Sequence, residues 1–184
     1  MKLKKKLSAA LLLALSAVGG TASAAVLSVP LYYQEHSMWC WAASASMIMK
    51  YSGNLNVAQC SLANYSFGIN YACGNSTFYW NSNANQGNWN YYVDDAMNHY
   101  WGSNKFYQQN GSLSLSNLQS RINANKPFIM SWQWTSGGGH DVVVKGYSGS
   151  YVYFNDPWDG SYYRTYASTV SASDRYWDDV LLQY

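Results

Sequence analysis

Over residues 38–51 small and apolar side chains dominate, and Trp41, Ala45, Ile48 and Met49 fall on one stripe at helical spacing. The pattern predicts a helix over 38–51, capped by Ser37 and stopped by Ser52-Gly53. Ala42, Ala43, Ser44 and Ser46 are small enough to let a sheet approach that helix closely. Shorter helical patterns cover 56–63, 90–100 and 116–124, with polar caps and stops such as Gly102 and Pro127. Residues 75–89, rich in Asn, Ser and Gly, read as a loop. From Pro127 the period changes. "PFIMSWQW", "HDVVVKGY", "YVYFNDP", "SYYRTY" and "WDDVLLQY" are rich in β-branched and aromatic residues and read as strands. Helices followed by strands predict an α+β fold, a helical half packed on a C-terminal antiparallel sheet.

Alternation along two of these strands selects residues. In "HDVVVKGY" the set His140, Val142 and Val144 shares one face, and Asp141, Val143 and Lys145 the other. The first set is taken as the core-facing one. In "YVYFNDP" Val152, Phe154 and Asp156 form the more apolar set. A three-residue loop, Tyr147-Ser148-Gly149, would pair Gly146 with Ser150, Val142 with Phe154 and His140 with Asp156. Directly opposed residues have Cβ atoms about 4.5–5.5 Å apart, within reach of an imidazole–carboxylate hydrogen bond. On this register Asp141 points away.

The N-terminus changes the charge. Residues 1–24 carry a basic start, an apolar run and a small-residue end, Ala22-Ser23-Ala24, the pattern of a secretory signal peptide with cleavage expected after Ala24. The expected mature domain is 25–184, exported to the extracellular space and monomeric. The apolar run is too short for a membrane span of roughly 20 residues, and no cysteine near the cleavage point offers a lipid anchor. Lys2, Lys4, Lys5 and Lys6 leave with the peptide, so seven basic face nine acidic residues and the net charge becomes −2 instead of +2. That balance lacks the basic stripe of a nucleic-acid partner. No Cys or His pair has zinc spacing, and "DPWDG" lacks the spacing of a calcium loop, so neither metal nor cofactor is expected.

Cysteine usage then becomes informative. Cys60 and Cys73 can pair with each other across a short polar loop, leaving Cys40 alone. Cys40 with Cys60 is the rival pairing, and it would remove any catalytic role. A free Cys40 would lie in the first turn of the first helix, where the positive end of the helix dipole favours the nucleophilic thiolate. Histidine on one strand and a carboxylate opposite complete a nucleophile, base and orienter set, the arrangement that acyl transfer uses. The Cys40 backbone N–H and the Gln34 side-chain N–H are candidate donors to the oxyanion.

"QEHSMWCWAAS", "GGGHDVVVKGY" and "YFNDPW", in that order, resemble the bacterial papain-like cysteine peptidases, particularly the branch related to bacteriocin-leader peptidases and secreted effector proteases. The resemblance spans residues 30–158. It implies a papain-like fold and peptide-bond hydrolysis of a protein or peptide substrate. It also implies Cys40 as nucleophile, His140 as general base, Asp156 as orienting residue and Gln34 at the oxyanion hole. Papain-like enzymes that use asparagine as orienter make Asn155 a rival to Asp156; the alternation favours Asp156. The stretch from Ala24 to Gln34 is too short for an inhibitory pro-segment, which points to control by a separate inhibitor protein, by export or by redox state. The same triad could instead serve an acyltransferase or a cell-wall amidase. Nine Trp and 18 Tyr also fit a catalytically silent binding module.

Overall fold

A computed structural model describes residues 23–74, 83–87 and 93–184. Most of the expected signal peptide and of the loop expected at 75–89 lie outside the described residues. Helices α1 (Cys40–Gly53), α2 (Gln59–Phe67), α3 (Val93–Trp101), α4 (Leu115–Asn123) and α5 (Tyr166–Val170) accompany strands β1 (Ala24–Val26), β2 (Phe106–Asn110), β3 (Phe128–Trp134), β4 (Gly139–Ser148), β5 (Tyr151–Asp156), β6 (Gly160–Thr165) and β7 (Arg175–Gln183). The strands form one sheet in the order β2-β7-β3-β4-β5-β6, with β1 also paired to β4. Every pairing is antiparallel. The fold class is the expected α+β.

Helix α1 differs from its prediction at both ends. It begins at Cys40, its N-cap residue is Trp39 with no side-chain cap, and Asn54 closes it in the left-handed conformation at φ 53°. Ser37 is not the cap; its hydroxyl accepts from Asn85 Nδ2 at 2.9 Å. Residues 41–49 are all buried. A single apolar stripe therefore understates the helix, which is covered nearly all round by the sheet on one side and by α2 and α3 on the other.

The sheet is buried on both faces, not on one. Ile129, Val143 and Leu181 pack with α1, while Met130, Val142, Val144, Phe154 and Val180 pack on the opposite side with Leu118 and Ile122 of α4. Short elements with weak apolar periodicity, β1, β2 and α5, were not predicted. The α2, α3 and α4 ranges shift by one to four residues from those expected, the usual fraying of boundaries.

The β4–β5 hairpin departs most from its predicted register. Ser148 pairs with Tyr151, Tyr147 with Val152 and Gly146 with Tyr153, so the loop has two residues instead of three. Gly149 takes the first loop position at φ 55°, where a tight hairpin turn of the II′ kind favours glycine. The register then shifts between Val144 and Gly146, leaving Lys145 as a bulge, and Val144 pairs with Phe154. The bulge is not idle: its carbonyl accepts from Leu27 N at 2.8 Å and its ammonium donates to Asn155 Oδ1 at 2.6 Å. Val142 with Phe154 and His140 with Asp156 are thus not directly opposed.

Beside the bulge, β1 lies hard against Gly146. A Cβ there would meet the Ala25 carbonyl oxygen at 2.7 Å and Val26 Cα at 2.8 Å, both backbone atoms with no rotamer to yield. Gly146→Ala should cost about 1–3 kcal/mol and loosen β1. Denaturant unfolding with amide exchange at residues 25–27 checks this; unchanged protection would contradict it.

Candidate active site

Cys40 opens α1, so its backbone N–H belongs to the first turn and has no intrahelical acceptor. One turn further in, the buried Ser44 hydroxyl donates to the Asp141 carbonyl at 3.2 Å, which fixes the helix against β4 next to His140. The thiol is free and partly exposed. Cys60 and Cys73 form a disulfide, so the rival pairing of Cys40 with Cys60 does not occur.

His140 is 5% exposed and its Nε2 lies 2.7 Å from Asp156 Oδ1. Its other nitrogen, Nδ1, is left for Cys40, which lines the same cavity. Burial acts to lower the imidazole pKa, but the hydrogen bonds to Asp156 and Cys40 and their negative charge outweigh it and raise it to about 10. Trp134 stacks on the ring at 6.4 Å and Trp158 meets it edge-on at 5.8 Å, holding its plane.

Asp156 is fixed from several sides. Oδ1 also accepts from the backbone N–H of Trp158 at 2.7 Å, and Oδ2 accepts from the Tyr162 hydroxyl at 3.0 Å. Burial works to raise its pKa, yet the hydrogen bond and charge of His140, with the Trp158 and Tyr162 donors, hold it below the usual carboxylate range. Burial and the negative charge of Asp156 push the Tyr162 phenol well up, so it stays a donor. Asn155, the rival orienter, faces elsewhere: its amide nitrogen donates to the Val29 and Pro30 carbonyls at 2.9 and 3.1 Å.

Gln34 sits in the loop before α1, and its backbone N–H donates to the Pro157 carbonyl at 3.0 Å. Its side-chain nitrogen donates to the carbonyls of His36 at 3.0 Å and Ser37 at 2.8 Å. Both amide hydrogens are therefore engaged in the loop, and Oε1 is buried without a hydrogen-bond partner among the described residues. Cys40, His140 and Asp156 come together; the Gln34 amide is turned to the chain instead.

Two contributors escaped sequence reasoning. Tyr162 was detectable, because alternation puts it on the face of "SYYRT" that also carries Arg164, whose guanidinium lies 5.2 Å from the phenol ring. Asp141 was set aside because it points away from Asp156. It does so, yet it lines a cavity of about 310 Å³ that also opens on Cys40. Ser131 of β3 donates to its Oδ1. Burial, opposed by that hydrogen bond and reinforced by Asp179, raises its pKa to about 7. The native state thus binds this proton more tightly than the unfolded chain, and the carboxyl costs stability as pH rises from about 4 through 7. Asn does not titrate. Asp141→Asn should therefore raise Tm by about 5 °C at pH 8, a gain that shrinks at pH 5. Calorimetry at the two values checks it, and an equal or reversed gain would contradict the burial cost.

The same arrangement of elements recurs in known proteins. No curated protein sequence matches this chain. Among solved structures, a Bacillus anthracis protein described as a C39-like peptidase superposes with a TM-score of 0.61 at 19% identity, over 88% of this chain and 98% of that one. A double glycine motif protease from an AMS/PCAT transporter, in complex with its leader peptide, gives a TM-score of 0.54 at 18% identity, over 87% and 95%. The peptidase domain of Streptococcus ComA, a bifunctional ABC transporter of a quorum-sensing pathway, gives 0.55 at 15%, over 84% and 98%. At these identities the likeness is one of fold. The profile of the Peptidase_C39 like family matches residues 26–180, nearly all of the described chain, and with that match the chain belongs to the Peptidase_C39 like family.

Proposed function

We propose that this chain is an exported papain-like cysteine endopeptidase acting through Cys40, His140 and Asp156. The observation that carries the reading is the His140 ring, bonded to Asp156 and lining the same cavity as the free Cys40 thiol. Its raised pKa favours the imidazolium at neutral pH. The Cys40 sulfur attacks the peptide carbonyl carbon, forming a C–S bond while the carbonyl oxygen takes the negative charge. The Cys40 backbone N–H donates to that oxygen, and Gln34 adds a second donor by exchanging the Ser37 carbonyl for it. As the C–N bond breaks, His140 gives its Nδ1 proton to the leaving amine. Water, deprotonated by the now neutral His140, attacks the thioester and frees the acid and the thiolate. The substrate class is protein or peptide, supported by the neighbouring structure determined with a leader peptide.

The test is labelling of the mature protein with an epoxide probe for cysteine peptidases, followed by mass spectrometry. An adduct on Cys40 that vanishes in His140→Ala is expected; an unlabelled or oxidised Cys40 overturns the reading. Export is tested by N-terminal sequencing of protein from culture medium, which should begin at Ala25.

A further inference from the structure

The cavity beside Cys40 has a chemical character of its own. Its volume of about 310 Å³ is at the small end for ligand sites. Trp41, Trp132, Trp134 and Trp158 contribute to its walls, and among the described residues no lysine or arginine lines it. Asp141 lines it from β4 although only 7% of the residue is exposed. One of its carboxyl oxygens accepts from Ser131, which lines the cavity beside it. Asp178 of β7, an exposed residue, adds a second carboxylate to the lining. The positive charge that acts on Asp141 is that of His140, whose Nε2 is already bonded to Asp156.

A carboxyl buried beside an apolar pocket is costly unless something pairs with its charge. A methylene stem packs well along tryptophan faces, and those faces attract a cation. An ammonium or guanidinium at the end of such a stem would meet Asp141 in a charge-assisted hydrogen bond. A neutral side chain of the same length would bury the carboxylate unpaired. A carboxylate-bearing side chain would add repulsion from Asp141, Asp178 and the nearby Asp179.

We propose that this cavity is the substrate subsite for a lysine or arginine side chain next to the scissile bond, with Asp141 at its base and Asp178 at its rim. The proposal rests on the peptidase reading for what Cys40 does, but the pocket's affinity for a cation does not depend on that chemistry. Two measurements separate the failures.

The first compares the rate of Cys40 alkylation by two epoxide peptides that differ only in lysine or norleucine beside the reactive group. The lysine peptide should react about 30-fold faster, as expected for one charge-assisted bond. Most of that ratio should vanish in Asp141→Asn, and part of it in Asp178→Asn, an exposed position where misfolding is not a concern. The second measures binding of agmatine to the Cys40→Ala protein by NMR titration, with and without Asp141→Asn. Agmatine bound through Asp141, with Cys40 inert to both epoxides, would sink the peptidase reading and leave the subsite standing. Equal alkylation rates and no agmatine binding would overturn the subsite, whatever Cys40 does.

Discussion

His140→Ala should lower kcat/KM for peptide hydrolysis by roughly ten-thousand-fold, and Cys40→Ser by at least as much. On the proposed mechanism His140 has two tasks that no neighbour can take over: to take up the thiol proton and to protonate the leaving amine. Trp134 and Trp158, which flank the ring, carry no base. Removing a buried imidazole leaves a void and an unpaired Asp156, so some stability is lost with it, and thermal unfolding run alongside separates that loss from the catalytic one. A folded His140→Ala protein retaining activity within tenfold of the parent would mean that His140 is not the base. Cys40→Ser removes the nucleophile at a partly exposed position and should leave Tm nearly unchanged.

At Asp156 two substitutions should part company. Asp156→Ala is expected to cost about a thousand-fold in kcat/KM, because the imidazole loses its orienting acceptor and the Trp158 N–H and Tyr162 hydroxyl lose theirs. Asp156→Asn should cost only about tenfold. Where a serine nucleophile needs a neutral histidine in one tautomer, the amide is a poor substitute for the acid. Here the imidazole is already doubly protonated, with a pKa near 10, so it presents N–H on both sides and an amide oxygen can accept one of them. The Asn Nδ2 would donate to the Tyr162 oxygen, reversing that hydrogen bond. Steady-state kinetics of the pair decide it. Equal losses for Ala and Asn would show that the negative charge, not the acceptor, is what His140 requires.

The legible part of this fold is the part where period and burial agree. The strands from β3 to β7 announce themselves by aromatic and β-branched runs, and α1 by its small and apolar residues, because each buries most of its surface. The exceptions share a cause. β1 owes its place to pairing with β4 beside a glycine, and β2 to pairing with β7, contacts that no local pattern encodes. Ser37 looks like a cap, but the tertiary contact with Asn85 claims it. Gln34 reads as a spare amide, whereas the carbonyls of its own loop use it. At the site, alternation separated Asp156 from Asn155 and Asp141 from His140. It could not reveal that the face bearing Asp141 is also interior, since a sheet covered on both sides leaves no polar face to mark the difference.

The nearness of His140 and Asp156 survived an error in the predicted register, and the bulge at Lys145 explains why. The tighter loop alone would have turned the two side chains to opposite faces. The extra residue of the bulge restores the parity, so the offset from the predicted pairing is two residues and the faces agree. The separation of 16 positions between them is therefore a joint record of turn and bulge. A relative with the same turn and an unbroken ladder would need an odd number there to build the same site. Fixed spacing is thus a poor ruler for finding this histidine–aspartate pair in other sequences, and a single-residue deletion near the hairpin tip would part His140 from Asp156 without touching either residue.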